Sequence, residues 1–356
     1  MRVGTGTSDL STALDRKAVT ASAPCRVDCG GGWDIKALAI LYPWIKPATV
    51  NLALNMRAYV TLHPHESGHV EVVSESLQSC DGLAEQLPFS HHLGLVFAIA
   101  TYFRVHGVRI SIRTEFPSMS GLGGSGAVAV AVIAAISEVL SNAGEQPLAQ
   151  REMVWLAHNI EDGILRGCTG MQDQAAAAFG GVNKWEWHYM DARRPFTQEA
   201  LLPEGDFKKL EERLVLAYTG HAHQSAVASA ALVQSFLDIH SRHLWMEANE
   251  ITHSFASAVK SKDWRRAAEC ILLENDIKAR MVPEVLSETA RDLVESARAN
   301  QCGARFCGAG AGGCVWGLGE TSNIDLLRET WRDILKGIEG ARLLPTRISP
   351  TGLRIH

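Results

Sequence analysis

Two glycine-rich segments carry the clearest chemical signals in this sequence of 356 residues. Gly121-Leu-Gly-Gly-Ser-Gly126 and Gly308-Ala-Gly-Ala-Gly-Gly313 both fit the spacing G-x-G-x-x-G. In a dinucleotide-binding fold this spacing lies directly between a strand and a helix. Here the first segment is separated from its predicted strand by residues 115–120, and the second is followed by the strand-like run CVWGL. Neither context fits a nicotinamide-binding domain, and the P-loop pattern G-x-x-x-x-G-K-[ST] is absent.

The first glycine segment instead predicts a phosphate-binding loop. It leads into an Ala- and Val-rich helix, and the start of a helix presents unpaired N–H groups and the positive end of the helix dipole. Glycines let the backbone approach a bulky anion, and serine hydroxyls bind phosphate or Mg²⁺. A tight turn alone would not need four glycines and two serines within residues 120–126. We therefore expect nucleotide phosphates to bind at Ser120, Gly121, Gly123, Gly124, Ser125 and Gly126.

Three motifs in order resemble the GHMP kinases, a family of small-molecule kinases that includes galactokinase, homoserine kinase and mevalonate kinase. Residues 23–34 (APCRVDCGGGWD) are similar to the family's opening A-P-x-R-[IV] and its glycine turn. Residues 117–127 (PSMSGLGGSGA) are similar to the signature P-x-x-x-G-L-G-S-S-A-A, and residues 308–314 (GAGAGGC) to the C-terminal G-x-G-G-G loop. The resemblance covers most of the chain. It implies an α+β fold with an N-terminal domain like ribosomal S5 domain 2 over 18–205 and a ferredoxin-like C-terminal domain over 206–356.

Within the family, the sequence is most similar to the sugar-kinase branch of fucokinases and heptose 7-phosphate kinases. Residues 26–34 resemble the fucokinase turn R-I-D-L-A-G-G-W-T-D, and residues 170–183 (GMQDQAAAAFGGVN) resemble the heptose kinase stretch G-K-Q-D-Q-Y-A-A-A-F-G-G-x-N. The resemblance implies transfer of the γ-phosphate of ATP to a hydroxyl of a sugar or sugar-like polyol, with the anomeric hydroxyl as the expected acceptor. A cyclitol, an unusual sugar or heptose 7-phosphate is an alternative substrate. A homologue that binds ligand without catalysis is the alternative function.

The resemblance also assigns chemistry to four residues. It implies that Asp173 is the base that accepts the proton of the acceptor hydroxyl. Arg26 is implied as the cation beside it, which stabilises charge on the transferring phosphoryl group. Ser125 and Glu161 are implied as ligands of Mg²⁺, a hard cation that prefers oxygen atoms. The adjacent carboxylate of Asp162 is the alternative to Glu161.

A second set of residues is implied on the substrate side. Carboxylates accept directional hydrogen bonds from polyol hydroxyls, and an indole stacks on a sugar face or packs in the core. Residues 218–223 (YTGHAH) resemble the family's Y-T-G segment, with histidines where an Arg is common in sugar-kinase relatives. Because a neutral histidine is a weak phosphate ligand, we predict that an unphosphorylated polyol is preferred over its phosphorylated form. The expected substrate contacts are Asp28, Trp33, Asp34, Tyr218, His223 and Gly310.

The elements that must position these residues mix helices and strands without a strict β-α-β repeat, which favours an α+β fold. The first seventeen residues are predicted to be a polar, frayed lead-in, and the charged stretch 202–213 is the predicted domain boundary. Strands are predicted at 19–22, 48–54, 58–63, 69–74, 108–114, 214–218, 304–307, 314–318 and 341–344. Helices are predicted at 90–105, 127–140, 150–165, 226–240, 244–259, 264–281, 283–299 and 324–336.

Composition restricts the class of protein. Lys plus Arg is 34 and Asp plus Glu is 39, so the net charge is −5, which argues against nucleic acid and anionic membranes as partners. The longest apolar run, residues 127–136, is too short to span a bilayer. Eight cysteines without a C-x-x-C pair indicate reduced thiols and a cytoplasmic enzyme. The oligomeric state is left open, with a homodimer as the candidate.

Overall fold

A computed structural model describes residues 7–30, 34–165, 169–222, 225–282, 287–308, 310 and 312–356. The strands are β1 Ser8–Asp9, β2 Val19–Cys29, β3 Ala48–Pro64, β4 His69–Ser74, β5 Cys80–Leu83, β6 Val105–His106, β7 Val108–Thr114, β8 Val182–Trp187, β9 Phe196–Ala200, β10 Leu214–Tyr218, β11 Gly303–Phe306, β12 Cys314–Leu318, β13 Arg342–Leu343 and β14 Arg354–Ile355. The helices are α1 Ser11–Arg16, α2 Lys36–Leu41, α3 Gly94–Phe103, α4 Gly124–Asn142, α5 Gln150–Ile164, α6 Gln172–Phe179, α7 Phe207–Glu211, α8 Ser225–Leu237, α9 Arg242–Ser261, α10 Trp264–Met281, α11 Glu288–Ala299 and α12 Thr321–Leu335, with 3₁₀ turns at Pro43–Ile45 and Glu204–Asp206.

The first domain is built on a sheet with the order β14-β2-β3-β7-β4-β5, in which β8 also pairs with β3 and β9 pairs with β8. The long strand β3 pairs with β8 over residues 48–52 and with β7 over residues 58–64. β2 continues beyond its predicted end because the register shifts between Pro24 and Cys25, and a bulge is where a strand tolerates proline. The extended strand therefore carries Arg26 and Asp28 to the end of the sheet.

Helix α4 is the central helix of this domain and packs against β2, β3 and α6. By length and composition it is apolar enough to cross a membrane, yet 72% of its most apolar window is buried inside the protein. Burial in the core therefore accounts for its Ala- and Val-rich sequence. α6, which follows Gly170, was missed by the sequence analysis because its apolar residues are small alanines without a clear helical stripe.

The second domain contains an antiparallel sheet with the order β11-β12-β10-β13. Numbered along the chain this is the order 2-3-1-4, which is the ferredoxin-like topology and confirms the expected fold class. Both faces of the sheet are covered: Leu214 and Leu216 of β10 face the main core, whereas Val215 and Ala217 pack against α11 and α12. Successive side chains of β10 point to opposite faces of the sheet, so this strand contributes to two separate layers of the core.

Both ends of the described chain are anchored on the first domain. β1 pairs with β6, and Leu10 and Leu14 are buried, so the predicted frayed lead-in is wrong for this segment. At the other end, β14 pairs with β2, and the buried guanidinium of Arg57 donates to the carbonyl oxygens of Ser22 (2.7 Å) and Gly352 (2.5 Å). The division between residues 205 and 206 stays a prediction, but the last residues of the chain contact the first sheet.

Candidate active site

A cavity of about 650 Å³ brings most of the predicted residues together. Its middle is formed by Gly308 of the second glycine loop and by five residues of the first, namely Ser120, Gly121, Gly123, Gly124 and Ser125. One end is mainly apolar. The other end contains Arg26, Asp34, Glu161 and Asp173, with aliphatic side chains beside them.

The two glycine loops pack against each other at the middle of this cavity. Gly121 and Gly123 have φ values of 75° and 74°, in the left-handed region that favours glycine. A Cβ on Gly121 would lie 3.0 Å from the carbonyl oxygen of Cys307, and the N–H of Cys314 donates to the carbonyl of Ser120 at 2.8 Å. Among the described residues no side chain caps the start of α4, so the first N–H groups of this helix are available to a phosphate.

Gly126 has a different position from the rest of the loop. It does not line the cavity; a Cβ at this residue would lie 2.6 Å from the Cβ of Asp173. Its missing side chain lets α4 approach the first turn of α6. The structure therefore does not support the phosphate contact predicted for Gly126. Instead, this glycine leaves room for Asp173.

Arg26 and Asp173 form an ion pair at the polar end of the cavity. Nε and Nη2 of Arg26 lie 2.9 Å and 2.7 Å from Oδ1 of Asp173, so Oδ2 takes part in neither contact. The Asp173 side chain is 24% exposed, whereas that of Arg26 is 4% exposed. Nη1 of Arg26 also donates to the carbonyl of Gly121 at 2.6 Å, which ties the pair to the glycine loop. One carboxylate oxygen is thus available to a hydroxyl in the cavity.

Asp28 is placed differently from its prediction. It is fully buried and absent from the described cavity lining. Its Oδ1 accepts from Arg305 at 2.6 Å, while Oδ2 accepts from the N–H of Gly308 at 3.1 Å and lies 3.2 Å from Nη1 of Arg26. A direct contact with a substrate hydroxyl is inconsistent with this geometry, because both oxygens already have partners inside the protein.

Glu161 and Ser125 lie together, as the family resemblance implied. Burial raises the pKa of Glu161 to about 7, and the Asp173 carboxylate adds to this, against the opposing hydrogen bonds from Ser125 and Gln174. Asp162 is not among the described lining residues; its oxygens accept from Lys36 and from Thr169. Although burial raises the pKa of Asp162, those hydrogen bonds lower it overall. Glu161 is therefore the better placed of the two carboxylates for a cation.

Asp34 lines the cavity and also holds the start of α6. Its Oδ2 accepts from the N–H of Gln172 at 2.9 Å, and a Cβ on Gly170 would lie 1.9 Å from the same oxygen. Burial raises the pKa of Asp34 to about 7, and the nearby Asp173 carboxylate adds to the shift. The Tyr189 hydroxyl, which the sequence analysis did not single out, donates to the carbonyl of Asp34 and accepts from the N–H of Met171.

Two of the remaining predicted substrate residues are described by the structure, and neither lines the cavity. Tyr218 is half-buried in β10, where the guanidinium carbon of Arg342 lies 5.8 Å from its ring centre. Gly310 is buried and does not line the cavity. A direct substrate contact from Tyr218 or Gly310 is therefore not supported. Trp33 and His223 lie outside the described residues.

The apolar end of the cavity was not identified from the sequence. It contains large apolar side chains together with two histidines whose ring centres lie 3.8 Å apart. These residues come from the loops before α3, from α3 itself and from the sheet, and no local motif marks them. Its main members are Leu77, Phe89, His91, His92, Leu93, Val96, Ile112 and Phe116.

Comparisons with known proteins identify relatives among the small-molecule kinases. The family model of the GHMP kinases N-terminal domain matches residues 91–181, and that of the GHMP kinases C-terminal domain matches residues 255–337. A mevalonate kinase of Thermococcus sibiricus is 26% identical over 95% of this chain and 98% of its own length. A D-glycero-alpha-D-manno-heptose 7-phosphate kinase of Campylobacter jejuni is 30% identical over 57% of this chain and 60% of its own length.

Solved structures show the same fold. A D-glycero-D-manno-heptose 1-phosphate kinase from Bacteroides thetaiotaomicron superposes with a TM-score of 0.70 at 21% identity, covering 95% of this chain and 98% of the other. Lactococcus lactis galactokinase complexed with galactose superposes with a TM-score of 0.72 at 16% identity, covering 97% and 99%.

Proposed function

Because the chain belongs to the GHMP kinase family, whose members are phosphotransferases with an alcohol group as acceptor, we propose that it phosphorylates a hydroxyl of an uncharged sugar or sugar-like polyol. ATP is the phosphate donor used by the family. The observation that carries the proposal is the Asp173 carboxylate, held by Arg26 at the cavity and next to the glycine loop.

The two ends of the cavity suit the two substrates. The apolar end suits a nucleobase, with Phe89, His91 and Phe116 available for contact with its ring. The phosphates would then lie at the glycine loop, where Gly123 and Gly124 begin α4. The acceptor would occupy the polar end, within reach of Asp173.

The transfer step requires a base and stabilisation of negative charge. The acceptor oxygen attacks the γ-phosphorus, its proton passes to Oδ2 of Asp173, and the bond from the γ-phosphorus to the bridging oxygen breaks to release ADP. The Arg26 guanidinium holds the carboxylate through Oδ1 and places positive charge beside the reacting groups. Backbone N–H groups at the start of α4 add to this stabilisation.

The residues present also fit Mg²⁺. Ser125 and Glu161 supply hard oxygen atoms beside the glycine loop, and this cation needs only one or two protein ligands besides nucleotide phosphates. Burial of Glu161 without a Lys or Arg hydrogen-bond partner among the described residues is also what a cation would offset. When bound, the ion would neutralise phosphate charge.

The uncharged acceptor is inferred from the polar end of the cavity. Asp34 and Asp173 place two carboxyl groups there, beside the aliphatic side chains of Ile164 and Leu232. Among the described lining residues, Arg26 is the only Lys or Arg, and it is in contact with two carboxylates. The described lining residues thus leave no unpaired Lys or Arg for a carboxylate or phosphate on the substrate, whereas hydroxyls can hydrogen-bond to Asp34 and Asp173.

A substrate screen tests this proposal. ADP release is measured with neutral hexoses, heptoses and cyclitols, with heptose 7-phosphate, and with mevalonate, because mevalonate kinases are among the relatives. We expect kcat/KM for a neutral polyol to exceed that for its phosphorylated partner by about tenfold or more, which is about 1.4 kcal/mol. A tenfold preference for mevalonate or for heptose 7-phosphate would overturn the uncharged acceptor and leave the kinase activity standing.

Glu161→Gln is expected to make the protein more stable without ligands and to raise the Mg²⁺ concentration that activity requires. Glu161 has a pKa of about 7 in the folded protein against 4.5 in an unperturbed chain, so the free energy of unfolding falls as the pH rises through this interval. At pH 8 and without ligands, the variant should therefore be more stable by about 1–3 kcal/mol, and at pH 4.5 nearly equal. The Mg²⁺ concentration for half-maximal activity should rise by about tenfold.

Thermal and denaturant unfolding at the two pH values measure the first effect, and a Mg²⁺ titration at saturating ATP measures the second. Asp162→Asn is the control, since Asp162 lies next in sequence but binds Lys36 and Thr169. If the Mg²⁺ titration were unchanged in Glu161→Gln and shifted to higher concentration in Asp162→Asn, the Mg²⁺ ligand would be Asp162 and not Glu161.

A further inference from the structure

A group of buried charged side chains connects the active site to the second domain. Its members are Arg26 and Asp28 on β2, Arg305 on β11, and Glu274 and Lys278 on α10, which we call the buried charge group. The exposed fraction of each side chain is 4% or less. The group contains three cations and two carboxylates, and Asp173 is the third carboxylate that balances it.

Asp28 is the bridge between the two domains in this group. It lies between two guanidinium groups, with Nη1 of Arg305 at 2.6 Å from Oδ1 and Nη1 of Arg26 at 3.2 Å from Oδ2. Arg305 in turn places Nε 3.1 Å from the Glu274 carboxylate. The main-chain carbonyl of Asp28 accepts from Arg305 at 2.7 Å and from the Trp316 indole at 3.0 Å. Each hydrogen bond restricts where Asp28, and therefore Arg26, can lie.

The same group holds Gly308 of the second glycine loop. The Gly308 N–H donates to Asp28, and its carbonyl accepts from Lys278 at 3.1 Å and from Arg305 at 3.3 Å. Gly308 lines the cavity, and a Cβ there would lie 3.3 Å from the carbonyl of Gly121. The N–H and the carbonyl of Gly308 thus both contact charged side chains.

Stability alone does not explain so many buried charges. Removing charges from water costs several kcal/mol for each ion, and apolar residues of the same volume are often at least as stabilising. Charged hydrogen bonds also fix orientation, because a guanidinium group that is bonded on several sides can take only one orientation. Here the orientation that is restricted is that of Arg26.

Resting on the proposed kinase function, we propose that Asp28 and Arg305 are positioning residues that orient Arg26 toward Asp173 and hold the second glycine loop beside it. They act through Arg26 and do not touch either substrate. Their loss should therefore lower kcat and leave the affinities for ATP and acceptor largely intact.

The test is a double-mutant cycle between Asp28→Asn and Arg26→Met. In the otherwise unchanged protein, Asp28→Asn should lower kcat by about 10- to 100-fold and change both KM values by less than about threefold. In the Arg26→Met background the same substitution should change kcat by less than about threefold, because residues that act as a unit are not additive. An unchanged kcat for Asp28→Asn, or equal fold-losses in the two backgrounds, would overturn the proposal.

Folding is checked in parallel by thermal unfolding. Asn249→Ala is the matched control, because this buried side chain on α9 accepts from the N–H of Ala48 and donates to the carbonyl of Ile45 across the domains, without touching the buried charge group. It should lower stability and leave kcat unchanged; a comparable loss of kcat would overturn the proposal by showing that any weakened domain contact has this effect. If Asp28→Asn does not fold, the charge-balanced Asp28→Asn/Arg305→Gln variant replaces it in the same cycle.

The outcome of the double-mutant cycle does not depend on which acceptor the protein uses. It is run with whichever acceptor the screen identifies, so a mevalonate result would refute the polyol proposal and leave this comparison unchanged. A wild-type protein without phosphotransfer to any acceptor would refute both.

Discussion

Asp173→Asn is expected to lower kcat by about 10²–10⁴ while the dissociation constants for ATP and for the acceptor stay within about threefold of the wild-type values. The amide keeps the shape of the side chain and its contact with Arg26, but it cannot accept the proton of the hydroxyl. Steady-state kinetics give kcat, and calorimetric titration gives the two dissociation constants. The loss should therefore appear in the chemical step and not in binding.

Asp206→Asn is the matched control for this substitution. Asp206 is likewise an ion-paired carboxylate, with Lys209 at 2.9 Å and Lys262 at 2.6 Å, but it is not among the cavity lining residues. Its kcat should equal that of the wild type. Wild-type turnover by Asp173→Asn would remove the base role and leave Asp173 as the partner of Arg26 alone.

Gly126→Ala should reduce activity about 10²-fold and lower the free energy of unfolding by about 1–3 kcal/mol. In a helix, alanine is ordinarily favoured over glycine by about 1 kcal/mol. Here the added methyl group would lie 2.6 Å from the Cβ of Asp173 and 3.1 Å from the backbone of Asp173 and Gln174. α6 must then move away from α4, and the base moves with it.

Gly163→Ala provides the control for helix propensity. Gly163 is exposed in α5, and a Cβ there would have no neighbour within 4 Å, so the substitution should stabilise the protein by about 0.5–1 kcal/mol. Both variants are compared by denaturant unfolding and by kcat. Equal stability and activity for the two alanine variants would show that the approach of α4 to α6 does not constrain Asp173.

Local sequence patterns were sufficient for several elements and for the chemical motifs. The predicted bounds 69–74, 108–114, 214–218, 264–281 and 314–318 coincide with strands and a helix of the structure. Residues 108–114 alternate between apolar and polar side chains, whereas 214–218 and 314–318 are short continuous apolar runs. Both kinds of pattern are local properties of the chain. The first glycine loop was recognisable for the same reason, because its backbone freedom is encoded by residue type alone.

The family motifs pointed to Arg26, Ser125, Glu161 and Asp173, and the tertiary structure places all four at one cavity. Their chemical roles remain predictions that the variants above test. Residue type was less informative for Asp28 and Asp34. Both are carboxylates near the glycine turn, yet one lines the cavity and the other is surrounded by Arg26, Arg305 and Gly308.

The difference between these two carboxylates was decided by contacts between distant parts of the chain. Arg305 lies 277 positions after Asp28, and Gly308 lies 280 positions after it, so no local period relates them. The same holds for Gly126, whose neighbour Asp173 lies on another helix, and for the tail that returns to β2. The sequence by itself determined where helices, strands and reactive groups occur, because those depend on neighbouring residues. Which reactive groups face a substrate and which hold others in place was decided only when the two sheets packed together and buried one set of charges.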